Sequence, residues 1–62
     1  MTYIEQTQAA AKQGDAAAQF DLGFMYYFGR GFKCSEKQAA KWFKKAAEQG
    51  HVDAQKILAD RD

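Results

Sequence analysis

Apolar residues recur at helical spacing along most of the chain, and no run shows the strict alternation of a half-buried strand. In "DAAAQFDLGFMYYF", residues 15 to 28, Ala18, Leu22 and Met25 fall on one stripe. In "SEKQAAKWFKKAAEQ", residues 35 to 49, Ala39, Phe43 and Ala46 do the same, with Trp42 beside them. The pattern predicts four helices, at 2–13, 15–28, 35–49 and 51–60. Proline is absent, so glycine punctuates the chain. Gly14 and Gly50 each follow an Ala-Ala-x-Gln tail, as expected of a left-handed residue closing a helix. Asp15 is placed to cap the next helix, and His51 takes the matching position less well, with Asp53 in the first turn behind it. "GRG" at 29–31 ends the second helix, and "SEKQ" at 35–38 reads as a capping box opening the third.

The chain also repeats itself. "AAKQGDAAAQ" at 10–19 returns as "AAEQGHVDAQ" at 46–55, a shift of 36. That period, two helices plus a loop, is the length of an α-solenoid unit, which stacks on copies of itself because it cannot bury its apolar face alone. The expected organisation is one domain over 1–62: a half repeat at 1–14, a full repeat at 15–50 and a half repeat at 51–62.

Two stretches, "GDAAAQFDLGFMYYFGRGF" at 14–32 and "AAKWFKKAAEQGHVDAQ" at 39–55, resemble the Sel1-like repeats, relatives of the tetratricopeptide repeat. The resemblance implies an all-α fold, a short right-handed superhelix of about four antiparallel helices. It accounts for Gly14, Ala18, Gln19, Leu22, Gly23, Tyr26, Gly29, Gly31, Ala39, Trp42, Ala46, Ala47 and Gly50 as packing or turn positions, and Phe43 joins them on the seam. It also implies protein binding on a helical surface, as a scaffold, adaptor or inhibitor, without catalysis.

The departures from periodicity carry information too. Shifted by 36, Trp42 and Phe43 correspond to Gln6 and Thr7, and Phe20 and Phe24 correspond to Lys56 and Asp60. Both outer helices are therefore expected to turn polar faces to water, as capping elements do. Because about three repeats are usually needed for stability, self-association or membership of a longer array is the competing expectation.

The second helix is apolar nearly all round. Opposite its first stripe lies another, Phe20, Phe24 and Tyr27, with Phe28 alongside. Phe20 and Phe24 are expected chiefly to pack between helices. Tyr27 and Phe28 stand where the Sel1 pattern usually has polar residues, and with Arg30 they have the composition of an interface hot spot. The alternative for that pair is a satellite cluster under the loop.

Composition adds limits. A chain of 62 residues is one domain with a small core, burying only about 60% of the surface its unfolded form exposes. The single cysteine, Cys34, cannot form an internal disulfide, which favours a reducing compartment, the cytoplasm. Neither a signal peptide nor a membrane span is apparent. Nine Lys+Arg against eight Asp+Glu gives no field that would recruit nucleic acid. Lys37, Lys41, Lys44 and Lys45 recur at helical spacing and could meet a polyanion, but they read first as a solvated face beside Glu36 and Glu48. Cys34 and His51 lack anything that would orient them as nucleophile and base. One His and one Cys fall short of a zinc site, and "GRG" lacks the spacing of a phosphate loop. No metal or cofactor is expected.

Overall fold

The computed structural model describes residues 2–60. These form four helices and no strand: α1 (Tyr3–Lys12), α2 (Ala16–Phe28), α3 (Glu36–Glu48) and α4 (Val52–Asp60). Each helix packs antiparallel on its neighbour in the chain, α1 on α2, α2 on α3 and α3 on α4, giving the solenoid-like stack that the repeat predicts.

The helix ends follow from local chemistry. Asp15 Oδ1 accepts the Ala18 N–H at 3.2 Å, and Ser35 Oγ accepts that of Gln38 at 3.2 Å. Only this forward half of the expected box at Ser35 forms; a reciprocal box forms instead at α1, between Thr2 and Glu5. His51 does cap α4, its Nδ1 accepting the Ala54 N–H at 3.2 Å. Gly14, Gly29, Gly31 and Gly50 all take positive φ, as the punctuation predicts.

The core has two parts. Ala11, Ala18, Leu22 and Met25 pack with Ile4, Tyr26, Phe32 and Trp42 between α1, α2 and α3. On the other side of α2, Phe43 is fully buried and its ring approaches Gly23 so closely that a Cβ there would lie 2.6 Å from Cε1. This is why a helix-weakening glycine sits in mid-helix: it admits a ring. Phe43 rather than Trp42 is thus the buried aromatic of the third helix. Trp42 is only partly buried, with the Lys41 and Lys45 ammonium groups 5.6 and 5.7 Å from its ring centroid.

The repeat extends to hydrogen bonds. Gln19 Nε2 donates to the Ala11 carbonyl at 3.0 Å, and Gln55 Nε2 donates to the Ala47 carbonyl at 3.0 Å, one period later. Each glutamine closes the helix before its own. Gln19 is buried, and its Oε1 also accepts from Gln49 Nε2 at 2.9 Å.

One expectation about the outer helices is corrected. Lys56, Asp60 and Gln6 are exposed, but Thr7 is buried. Its hydroxyl donates to the Tyr3 carbonyl at 2.8 Å, so it serves in the interior without an unsatisfied polar group.

Candidate functional site

Spacing of four residues on a helix puts Phe20, Phe24 and Phe28 on one face of α2, with Tyr27 beside the last. The rings form a continuous series. His51 stacks on Phe20 at 4.4 Å, Phe20 meets Phe24 edge-on at 4.8 Å, Phe24 stacks with Phe28 at 5.8 Å, and Phe28 stacks with Tyr27 at 5.0 Å. Phe43 supports this strip from below, 5.6 Å from Phe20 and 5.1 Å from Phe24. Phe20 and Phe24 are half-buried, so packing and presentation share them. Tyr27 and Phe28 are 41% and 64% exposed. The cluster beneath the loop is made by Tyr26 and Phe32, stacked at 4.4 Å, which leaves Tyr27 and Phe28 outside it.

The loop after α2 holds this end of the strip in place. The Gly29 and Arg30 N–H groups both return to the Met25 carbonyl. The Ser35 N–H donates to the Tyr26 carbonyl at 2.9 Å, and the Cys34 thiol donates to the Tyr27 carbonyl at 3.0 Å. The Met25, Tyr26 and Tyr27 carbonyls, in the last turn of the helix, are thereby satisfied. Gly31 has φ 83°, and a Cβ there would overlap Ile4 Cδ1, so the loop rests directly on α1. This bond of Cys34 has no signal in the sequence, because a thiol that closes a helix leaves no mark in spacing.

Cys34 and His51 are not brought together. One lies at the Tyr27 carbonyl and the other stacks on Phe20, seven residues and so about 10 Å apart along α2. Among the described residues no three His, Cys, Asp or Glu side chains converge as metal ligands. Among the described residues no helix is long and apolar enough to cross a membrane. Lys37, Lys41, Lys44 and Lys45 are all exposed on α3, but two of them flank Trp42.

Comparison with known proteins agrees with this architecture. The chain is 45% identical over 47 residues to a sel1-like repeat-containing protein of Acanthamoeba polyphaga mimivirus, covering 76% of this chain and 8% of that protein. It is 35% identical over 51 residues to an ERAD-associated E3 ubiquitin-protein ligase component of Arabidopsis thaliana, covering 81% and 8%. It is 38% identical over 53 residues to an exopolysaccharide production negative regulator of Rhizobium meliloti, covering 86% and 20%. The chain therefore spans only a small part of these relatives. No solved structure gives a significant match. The family profile of the Sel1 repeat matches residues 16–51, and the chain belongs to the Sel1 repeat family, whose repeats generally mediate protein–protein interaction.

Proposed function

We propose that this chain is a small protein-binding module, acting as a scaffold, adaptor or inhibitor, and that its partner seats on the aromatic strip of α2. The residues carrying it are Tyr27, Phe28 and Arg30, with Phe24 and Phe20 extending the surface towards His51. The observation behind the reading is the exposure of two stacked aromatics, Tyr27 and Phe28, on a helix end held by loop hydrogen bonds. A rigid aromatic surface loses little conformational entropy on binding, and tyrosine and arginine are enriched at interface hot spots. The Arabidopsis relative is by its name a component of a larger ligase, which fits a repeat that works bound to other chains. The polyanion reading of Lys37, Lys41, Lys44 and Lys45 is weaker, because Lys41 and Lys45 already lie over Trp42.

The test is affinity capture from cytoplasm with wild type and with Tyr27→Glu/Phe28→Glu, at matched helicity. Retention of a distinct protein by the wild type and its loss by the variant is expected. Equal capture by both removes the strip from the site, and capture of its own copies alone makes the chain a self-associating unit.

A further inference from the structure

The four helix starts are capped by different chemistries. Thr2 and Ser35 cap α1 and α3 with hydroxyls, Asp15 caps α2 with a carboxylate, and His51 caps α4 with an imidazole. Asp15 and His51 hold the same position one period apart. A shift of 36 carries Asp15 and Ala18 onto His51 and Ala54, and the cap bond is 3.2 Å long in both.

The donor in this bond fixes the state of the ring. A backbone N–H can only donate, so Nδ1 of His51 carries a lone pair and the proton of the neutral ring sits on Nε2. A protonated imidazole donates at both nitrogens. It cannot accept from Ala54, and it sets a positive charge at the positive end of α4. The other caps are free of this conflict. Serine and threonine hydroxyls do not titrate, and ordinary carboxylic acids ionise at about pH 4, below the range of about pH 5 to 8 in which histidine changes charge. α4 is only nine residues long, with Ala54 its buried residue, so its start depends on the cap.

The remaining contacts of His51 decide where the break falls. Its ring stacks on Phe20 of α2 at 4.4 Å, and its backbone N–H donates to the Ala46 carbonyl in the last turn of α3. Both tolerate a positive ring, because a cation is drawn to an aromatic face and to the negative end of a helix. The bond lost on protonation is therefore the one to α4. Nearby charges do not override this. Lys44, Lys45 and Glu48 near the end of α3, and Asp53 and Lys56 near the start of α4, are of both signs and exposed, so water and salt screen them. On α2, Asp15 is engaged in its own cap and Asp21 with the Tyr3 hydroxyl. Among the described residues His51 forms no ion pair.

We infer that His51 is an acid-sensitive cap: uptake of a proton at Nδ1 cuts the bond to Ala54 and frees the start of α4, while α1, α2 and α3 keep their caps. The inference goes beyond the partner-surface reading and stands without it, because the strip from Phe20 to Tyr27 belongs to α2.

The test is an NMR titration of the isotope-labelled chain between about pH 7.5 and 5. His51 is the single histidine, so its ring resonances report its own protonation. As the ring protonates, protection factors of the Gln55 and Lys56 amides, corrected for intrinsic exchange, are expected to fall about two- to thirtyfold, the range for a lost cap. Protection of the Gln19 amide in α2 stays level. His51→Asn, which caps without titrating, keeps α4 protection flat across the range, and His51→Ala gives low protection at both ends. Both variants lack the ring, so the cap alone distinguishes them. Ring protonation with no change in α4 overturns the inference. So does loss of protection in α2 in step with α4, which is general acid unfolding, and so does a pH-dependent loss in His51→Asn equal to that of wild type.

Discussion

The ring of Phe43 lies against Gly23 with no room between them for a methyl group, and this contact joins the core to the aromatic strip. Phe43 is fully buried, and the rings of Phe20 and Phe24 rest on it. Gly23→Ala therefore sets two effects against each other. Alanine gains about 1 kcal/mol of helix propensity, whereas overpacking a close-packed site costs about 1–3 kcal/mol. Because the obstacle is a buried ring, the clash is expected to prevail, lowering stability in urea unfolding and moving the Phe20 and Phe24 resonances.

Phe43→Ala should be more damaging than Trp42→Ala. Emptying the site of a buried phenylalanine costs about 3–5 kcal/mol. Total stability for a domain of this size is itself only about 3–9 kcal/mol at typical values per residue. Phe43→Ala is thus expected to leave the chain largely unfolded by circular dichroism. Trp42→Ala, at a half-buried position flanked by lysines, should give a folded protein with a lowered midpoint.

Gln19 and Gln55 make the same bond one period apart, in different surroundings. Gln19→Ala strands the Ala11 carbonyl and the Gln49 amide in a buried or half-buried site, at about 1–3 kcal/mol. Gln55→Ala leaves its partner in reach of water and should cost under about 1 kcal/mol. Chemical unfolding of the two variants side by side checks the ratio.

The capping box of α1 gives a pH dependence. Hydrogen bonds from the Thr2 backbone N–H, and then from its hydroxyl, hold the Glu5 carboxyl below the usual glutamate value. A depressed carboxyl contributes stability above its unfolded pKa and loses it as pH falls through the folded one. Acidification should therefore fray the start of α1. In Thr2→Ala, which keeps only the backbone donor, the Glu5 carbon resonance should titrate at higher pH than in wild type. An unchanged midpoint would show that the hydroxyl contributes nothing.

The helices were legible because their signals are local: Gly14, Asp15, Ser35 and Gly50 each act within a turn of their own position. The 36-residue echo revealed the stack, since it repeats the residues that face each other. What stayed hidden depends on contacts across helices. Thr7 reads as polar and outward, yet a bond to the Tyr3 carbonyl one turn back lets it be buried. Trp42 outweighs Phe43 by size, but only the packing against Gly23 shows which of them the core encloses. At the candidate site, periodicity found the aromatic face and left Tyr27 and Phe28 between two readings. The loop cluster of Tyr26 with Phe32 separates them.

The most direct test of the central claim is site-specific photo-crosslinking. A benzophenone amino acid replaces Tyr27 in one variant and Lys44 in another, and the adducts formed in cell extract are identified by mass spectrometry. The account predicts a discrete heterologous adduct from position 27 and none from position 44. An adduct from position 44 alone, or only adducts between copies of this chain, would contradict it.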